Sequence, residues 1–288
     1  MSSSDLPSLL PKVPPQNRRQ FLVTKLAAGF ALAVSPVGAE TITTDTKGLT
    51  AGDVMIPVQD GAIPGYAARP ERGGNMPAVV VVHEIFGVHE HIKDICRRLA
   101  KAGYSAVAPA LFAREGDVSK IENIPDIITE VVSKVPDEQV MIDIDATINW
   151  AVIRNRADRN RVAITGFCWG GRIVWLYCAE KDTVKCGAAW YGRLEGEKNA
   201  MTPFNPIDYA GGLREPVIGF YGGQDAGIPD TSIANMRTAL SIVGDPSKII
   251  VYPEAGHGFN ADYRPSYNEA AAKDAWKQML DWFKENGV

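Results

Sequence analysis

The fold is decided by a short run, RVAITGFCWGGR, at residues 161–172. A β-branched, apolar segment ends in Gly166-x-Cys168-x-Gly170, and a segment compatible with a helix follows at residues 173–180. Strand, sharp turn and helix in this order are typical of a nucleophile elbow, usually written G-x-S-x-G. Glycines are needed on both flanks because the chain doubles back with little room for a Cβ atom. The alternative, on these residues alone, is a buried structural cysteine beside glycines that pack a helix.

The elbow interpretation makes Cys168 a candidate nucleophile. The turn would hold its side chain clear of the sheet, at the N-terminus of the following helix. That end of a helix stabilises a nearby anion, and the thiolate is the reactive form of cysteine.

Length and composition indicate one large domain with no electrostatic signature of a polymer partner. The chain has 288 residues, 45% of them hydrophobic, and a formal net charge of −4. One α/β domain of this length can bury a sizeable core. The charges are scattered and the balance is mildly acidic, so we expect neither nucleic-acid binding nor attraction to anionic lipid.

The N-terminal segment predicts export. The run NRRQFL at residues 17–22 resembles a twin-arginine signal, and residues 26–39 carry no charge. Small residues at 37–39 predict cleavage after Ala39. The uncharged run is shorter than the roughly 20 residues of a membrane span, so stable insertion is not expected. We therefore expect a signal peptide at 1–39, a partnership with the twin-arginine export machinery and a periplasmic location. A basic tail or an uncleaved anchor is the alternative.

Four cysteines lie beyond this segment: Cys96, Cys168, Cys178 and Cys186. The periplasm permits disulfides, and Cys178 could pair with Cys186 if the two lie close in space. Proteins exported by the twin-arginine route fold before export, so the fold should not depend on that bond. Small core residues are the favoured interpretation for both.

Hydrophobic patterns predict a doubly wound, mostly parallel sheet opened by an antiparallel hairpin. After a polar lead-in at 40–52, residues 53–68 alternate around Asp60-Gly61, a hairpin signal. Continuous apolar runs then predict strands at 78–83, 103–109, 161–167, 187–191, 217–221 and 248–252. Helical stripes begin near Ile92, Met141, Ile173, Thr231 and Ala272. Strands alternating with helices give an α/β class for a domain spanning 53–288. Residues 112–137 are irregular and predict either a cap or a long crossover with one short helix near 124–133.

A nucleophile needs a base, and the base needs an orienting carboxylate. His257 is the only histidine that follows Cys168, and it lies just after the predicted strand ending at Tyr252. Asp225 follows the strand that ends at Tyr221. Nucleophile, acid and histidine therefore occur in the order used by α/β-hydrolases, each beyond a strand. A capping aspartate and a loop histidine are the alternatives.

With these residues in place, the chain resembles the dienelactone hydrolase family from about residue 53 to its end. The resemblance is carried by HEIFG at 83–87, PALFAR at 109–114, GFCWGG at 166–171, GGQD at 222–225 and GHGF at 256–259. It implies an α/β-hydrolase fold, no cofactor, and a triad of Cys168, His257 and Asp225. It also implies that Glu84 contacts the resting thiol and helps govern its ionisation.

Two backbone amides complete the site that the resemblance implies. The N–H groups of Trp169 and Ile85 would form the oxyanion hole, one donor following the nucleophile and one lying in the first catalytic loop.

The substrate is less well determined than the chemistry. Family members that act on dienelactone hold its carboxylate with arginines, one of them a few residues after the catalytic histidine. Ala261 stands at that position here, and Arg264 is displaced along the chain. The second substrate arginine of those family members falls in the irregular region at 112–137, where Arg114 or Lys134 could supply its charge. The candidate substrate-binding residues are Arg114, Arg264 and Tyr191. Ala261 predicts a preference for neutral short-chain esters or lactones.

A different class of function is a redox-reactive thiol or binding protein that has kept the hydrolase fold, since fold alone does not fix activity. The histidine and the aspartate argue against it, because a redox thiol needs neither. His83, His89 and His91 are close in sequence, but no cysteine or carboxylate set completes a recognisable metal site, so none is expected.

Overall fold

The computed structural model describes residues 43–288, which form an α/β-hydrolase fold around a single sheet. Eight strands lie in the spatial order β1-β2-β4-β3-β5-β6-β7-β8. Their bounds are β1 Leu49–Val58, β2 Gly61–Pro70, β3 Met76–Val82, β4 Ser105–Pro109, β5 Ala157–Phe167, β6 Cys186–Trp190, β7 Val217–Gly222 and β8 Lys248–Tyr252. Each predicted strand is confirmed.

An antiparallel hairpin opens the sheet, as predicted. Strand β1 pairs with β2 and β2 pairs antiparallel with β4, whereas the remaining neighbours are parallel. Gly61 lies next to the tip with φ 148°, a region that favours glycine. The hairpin begins at Leu49 rather than at Asp53, so the polar lead-in is shorter than predicted. The four extra residues pair along the β2 edge, and this pairing overrides their weak local pattern.

Among residues 43–288, five long helices flank the sheet and follow the predicted stripes. They are α1 Glu90–Lys101, α2 Asp137–Arg154, α3 Trp169–Glu180, α4 Asp230–Val243 and α5 Glu269–Glu285. Helix α1 buries Ile92, Ile95 and Leu99, the positions that its stripe predicts. Helix α3 packs on β5 and β6 and is almost wholly buried, because parallel strands need cover on both faces.

The irregular segment at 112–137 contains a separate turn at Val118–Lys120 and then one short helical run, close to the predicted helix near 124–133. The run continues from Ile124–Asp126 through Ile127–Val131 to Val132–Lys134, and its middle part is a single π-helical turn. Such turns are frequent near functional sites.

The parallel strands β3, β5, β6, β7 and β8 all end at one edge of the sheet. Ligands of open α/β sheets bind beyond this carboxyl edge. The predicted site residues lie on the loops that leave it.

The predicted signal segment, including Arg18, Arg19 and the cleavage position after Ala39, lies outside the described residues. Within residues 43–288, no helix is both long and apolar enough to cross a membrane. All four cysteines are free and buried, as expected for Cys178 and Cys186 as core residues.

Candidate active site

Cys168 occupies a strained turn between β5 and α3. Its backbone has φ 56° and ψ −113°, which a residue with a Cβ adopts only when its surroundings enforce it. The flanking glycines let the surrounding backbone pack closely enough to hold this conformation. A Cβ on Gly166 would lie 2.4 Å from the Gly170 carbonyl oxygen, and one on Gly170 would lie 2.4 Å from the Val82 carbonyl oxygen. The Gly-x-Cys-x-Gly pattern is therefore a steric requirement of this turn.

Cys168, His257 and Asp225 are brought together by three different loops. The Nδ1 of His257 donates to Asp225 Oδ2 at 2.7 Å, and the imidazole also hydrogen-bonds the Cys168 side chain. The other oxygen of Asp225 accepts the Gly227 N–H at 2.8 Å, which fixes the carboxylate plane. The order thiol, imidazole, carboxylate is that of a nucleophile with its base and orienter.

The groups on either side of His257 favour the protonated, positively charged form of its imidazole. Burial alone would lower the pKa of His257, but the adjacent Cys168 thiolate and the Asp225 carboxylate outweigh it and raise that pKa to about 10. Cys168 itself is 6% exposed and lies at the N-terminus of α3. An imidazolium at this position stabilises a negative charge on the adjacent sulfur.

A cavity of about 270 Å³ opens onto this pair. Its wall combines the elbow, the loops after β6, β7 and β8, and the turns of the 112–137 segment. The residues that line it are Ile128, Val132, Ser133, Cys168, Trp169, Arg172, Tyr191, Arg193, Glu197, Asn199, Thr202, Asn205, Gly227, Ile228 and His257. The 112–137 segment thus covers one side of the site.

His83 joins the two segments that carry the predicted oxyanion-hole amides. Its Nε2 accepts the Leu111 N–H at 3.0 Å, so its Nδ1 is the protonated nitrogen and donates to the Glu84 carbonyl at 2.7 Å. Burial lowers the pKa of His83 to about 4, which keeps the ring neutral in this role. The ring also stacks on Trp169, with centroids 5.6 Å apart.

The predicted oxyanion-hole donors therefore belong to segments held against each other by one ring. The Trp169 amide opens α3, where N–H groups have no intrahelical acceptor. Neither it nor the Ile85 amide takes part in the turn, loop and cap hydrogen bonds of residues 43–288. Both remain available to an incoming oxygen.

Glu84 is 1% exposed and is held as a carboxylate by groups other than the thiol. Its Oε2 accepts hydrogen bonds from His89 (3.2 Å), the Tyr263 hydroxyl (3.2 Å) and Arg264 Nη2 (3.4 Å). Burial would raise the pKa of Glu84, but Arg264, His89 and His91 lower it well below its usual range. These hydrogen bonds join a four-residue group, called here the Glu84 cluster: Glu84, His89, Tyr263 and Arg264. The contact of Glu84 with the resting thiol stays a prediction.

Arg264 reaches the site despite its displacement along the chain, but it does not line the cavity beside Cys168. Successive turns, in which Ala261 donates to Gly258 and Arg264 donates to Ala261, carry it back toward Glu84. Its guanidinium lies over the Phe86 ring at 4.7 Å. Ala261 is fully buried. Arg264 therefore belongs to the Glu84 cluster, and its contact with the substrate stays a prediction.

Arg114, the other predicted substrate arginine, contacts two carboxylates of the protein. It pairs with Asp143 at 2.6 Å and with Asp60 on the hairpin tip, and it lines a different groove from Cys168. Lys134 is exposed. The charge of Arg114 is used to fasten the 112–137 segment to α2 and to the hairpin.

Tyr191, the third predicted substrate contact, does line the cavity. It has φ 40°, unusual for a bulky residue, and its ring lies 5.1 Å from the His257 ring. Its buried hydroxyl has no hydrogen-bond partner among residues 43–288. A strained aromatic residue with an unused hydroxyl beside the nucleophile is well placed to contact a ligand.

Sequence reasoning missed Arg193 and Arg172, two arginines in the cavity wall. Arg193 could have been found, because it follows a predicted strand at the same sheet edge as the catalytic loops. Arg172 lies within α3, and nothing in its local pattern separates it from other helix residues.

Comparison with known proteins gives one consistent relationship. The sequence profile of the Dienelactone hydrolase family matches residues 63–287. A Methylorubrum extorquens protein named "Putative carboxymethylenebutenolidase" is 58% identical over 273 residues, covering 94% of each chain. An Escherichia coli protein of the same name is 50% identical, covering 92% of this chain and 98% of that one. The crystal structure of a "Putative Dienelactone Hydrolase" from Klebsiella pneumoniae is 51% identical, with TM-score 0.80, covering 82% of this chain and 98% of that one.

Proposed function

Because this chain belongs to the dienelactone hydrolase family, we propose that it hydrolyses an ester or lactone through an acyl-enzyme on Cys168. One observation carries the proposal: Cys168, His257 and Asp225 form a hydrogen-bonded line that opens on a cavity of about 270 Å³. The proposal adds the identity of the nucleophile and the covalent intermediate to the family assignment.

In the first half-reaction, the Cys168 thiolate attacks the substrate carbonyl carbon and the carbonyl π electrons move to oxygen. The amides of Trp169 and Ile85 donate to that oxyanion. The tetrahedral intermediate collapses with cleavage of the carbon–oxygen bond, and the His257 imidazolium gives its proton to the leaving alkoxide. A thioester on Cys168 and a neutral imidazole remain. Asp225 keeps the imidazole in the tautomer that presents Nε2 to the reacting atoms.

In the second half-reaction, neutral His257 takes a proton from water, and the resulting hydroxide attacks the thioester carbonyl. The second tetrahedral intermediate expels the Cys168 thiolate and releases the carboxylic acid product. The thiolate–imidazolium pair is restored, so the cycle consumes water alone. No electron donor or acceptor is required.

The test compares wild-type protein with Cys168→Ala on 4-nitrophenyl acetate, simple lactones and dienelactone. We expect Cys168→Ala to lose essentially all turnover, by roughly four orders of magnitude or more, while its circular dichroism is unchanged. Cys96→Ala, Cys178→Ala and Cys186→Ala are matched controls and should keep most activity. Retained hydrolysis in Cys168→Ala would sink the proposed mechanism. A thiol that oxidises normally in His257→Gln, in a protein without hydrolysis, would instead favour a redox or binding function.

We also propose that the protein works in the periplasm after twin-arginine export. The support is the Arg18-Arg19 pair, the short uncharged run after it and the small residues before Glu40. Replacing both arginines with lysine should retain the precursor in the cytoplasm. Mass spectrometry of the exported protein should find a start at or near Glu40. Recovery of unprocessed wild-type protein from the cytoplasm of the native host would contradict export.

A further inference from the structure

His83 is a fully buried side chain to which the two half-reactions assign no role. It lies where β3 leads into the first catalytic loop. A neutral imidazole has one donor and one acceptor, and both are used here. Nε2 accepts the Leu111 N–H at 3.0 Å, and Nδ1 donates to the Glu84 carbonyl at 2.7 Å. The ring therefore connects two loops in a fixed direction, from donor to acceptor.

The second of these bonds acts on the peptide unit that carries a predicted oxyanion-hole donor. The Glu84 carbonyl and the Ile85 N–H belong to one planar unit, and in a trans peptide they point in opposite directions. The Gly87 N–H also donates to the Glu84 carbonyl, at 3.2 Å, and closes a turn over residues 84–87. Two donors on the carbonyl side thus hold the plane, and the Ile85 N–H is directed away from His83.

These bonds are part of a chain of hydrogen bonds that runs in one direction. At its start, the Ala113 N–H donates to the carbonyl of the 110–111 peptide unit at 3.0 Å, and the N–H of that unit donates to His83. His83 donates to the carbonyl of the 84–85 unit, whose own N–H has no acceptor among the turn, loop and cap hydrogen bonds of residues 43–288. Hydrogen bonds aligned in this way polarise one another, by roughly 10–30% per bond. An oxyanion at the end of the chain would meet a more polar N–H than that of an isolated amide.

The His83 ring is also fixed relative to the elbow. It stacks on Trp169, which carries the other predicted donor, and Phe112 packs edge-on against it with ring centroids 4.6 Å apart. A Cβ on Gly170 would lie 2.6 Å from the His83 carbonyl oxygen, so the start of α3 is in close contact with the His83 backbone. The ring and both donors therefore keep one arrangement.

We propose that His83 is a positioning residue of the oxyanion hole, which aims and polarises the Ile85 amide through the peptide unit that Ile85 shares with Glu84. The inference rests on the proposed function, because an oxyanion forms only if Cys168 attacks a carbonyl. His83 does not line the cavity beside Cys168, so it acts through this peptide unit and not on the substrate. Its role requires the neutral ring with the proton on Nδ1, since an imidazolium has no acceptor to offer Leu111.

The first test uses wild-type protein and does not depend on hydrolysis. Long-range proton–nitrogen NMR of protein with isotope-labelled histidine distinguishes the two neutral tautomers from the imidazolium, and His83→Asn identifies the resonance. Near neutral pH, His83 should be neutral with its proton on Nδ1. A ring protonated on Nε2, or on both nitrogens, would overturn the inference because the chain would then be broken at Leu111.

The second test measures hydrolysis of 4-nitrophenyl acetate by His83→Phe, which keeps a flat ring but removes both polar atoms. We expect kcat to fall by about 10- to 100-fold, less than for loss of a whole oxyanion donor, because the amide stays but is misaimed. Both half-reactions pass through an oxyanion, so both slow together and KM should stay within about twofold. His83→Asn, whose amide can still donate to the Glu84 carbonyl, should recover part of kcat.

Alkylation of Cys168 separates positioning from a general disturbance of the elbow. The thiolate attacks iodoacetamide at a saturated carbon and iodide leaves, so no oxyanion forms. The alkylation rate, followed by mass spectrometry with Cys168→Ala to identify the site, should be unchanged in His83→Phe. The matched control is Ser105→Ala, which loses a buried hydrogen bond to the Asn155 carbonyl in the core and should keep both rates.

The outcomes separate this inference from the proposed function. If Cys168→Ala is inactive but His83→Phe keeps the wild-type kcat, the hydrolase mechanism stands and the role of His83 is wrong. Parallel losses of hydrolysis and alkylation in His83→Phe would also overturn that role. If His83→Phe does not fold, His83→Asn carries the test: a kcat loss below about tenfold with unchanged alkylation supports the inference, and slower alkylation overturns it. If wild-type protein neither turns over esters nor becomes acylated on Cys168, the proposed function is wrong and this inference falls with it.

Discussion

Two buried charged groups adjoin the elbow, and they balance their charge in different ways. In the triad, the Asp225 carboxylate faces an imidazole that can gain or lose a proton, and the imidazole faces a thiol. In the Glu84 cluster, the carboxylate faces a guanidinium that keeps its charge at any working pH. The first arrangement can change its charge during a reaction, whereas the Glu84–Arg264 pair of the second keeps both of its charges.

The surroundings of the two groups match this difference. The triad opens on the cavity, so a substrate can alter its hydrogen bonds. In the Glu84 cluster, the carboxylate itself is buried and all three hydrogen-bond donors converge on its Oε2, while His89 also lines a separate cavity of about 720 Å³. The triad, whose charge changes during the reaction, therefore lies next to a cavity that a substrate can enter. The Glu84 carboxylate, which holds the first catalytic loop, is instead surrounded by hydrogen-bond donors.

The largest expected effect tests the triad side of this comparison. Asp225→Asn keeps the shape of the side chain but replaces one acceptor oxygen with a donor, so His257 takes the wrong tautomer. We expect kcat to fall by about three to four orders of magnitude with little loss of stability. Steady-state kinetics on 4-nitrophenyl acetate measures it. The matched control is Asp45→Asn, an exposed aspartate paired with Lys101. A loss below about tenfold would show that Asp225 does not orient the base.

The next effect is on stability and tests the Glu84 cluster. Arg264→Met keeps much of the packing but leaves a buried carboxylate without its cation, which costs about 3–5 kcal/mol. Urea unfolding should show that loss, and adding Glu84→Gln should recover part of it, because the double variant buries no unpaired charge.

The control for this effect is Lys277→Met, which breaks an exposed pair with Asp281 and should change stability little. An Arg264→Met loss no larger than that of the control would contradict the comparison. So would a double variant that is less stable than Arg264→Met alone.

The two regions also differ in how far sequence could predict them. The triad follows from local rules, since a nucleophile elbow needs its glycines and its partners lie at the ends of parallel strands. Cys168, Asp225 and His257 are therefore predictable from strand positions and chain order. The carboxyl edge of the sheet brings them together whatever the intervening loops do.

The Glu84 cluster depends on loop geometry, which sequence spacing does not fix. Aligning by distance from His257 placed Ala261 where an arginine was expected, but turns at 258–264 carry Arg264 to Glu84. The ion pairs of Arg114 could not be predicted for the same reason, because its partners Asp60 and Asp143 are distant in sequence. Arg193 was missed although it follows a predicted strand, because its approach to the elbow also depends on the packing of Gly192 on Gly171. Long-range contacts of this kind leave no periodic signal.

The smallest expected effect is a change in the titration of His257 when Cys168 is replaced. It tests whether the charge of the triad depends on the thiol. Burial opposes protonation of this ring, and the Cys168 thiolate is the leading cause that raises its pKa against that effect. Replacing the thiol in Cys168→Ala removes that cause and leaves only Asp225 to offset burial. The pKa of His257 should therefore fall from well above the ordinary value toward about 6.5. Proton–carbon NMR of labelled imidazoles can follow it, with His257→Gln identifying the resonance among the four histidines. Cys178→Ala, which removes a buried thiol elsewhere in the core, should leave the titration unchanged. Identical titration curves for wild type and Cys168→Ala would mean that the thiolate–imidazolium pair does not form at rest.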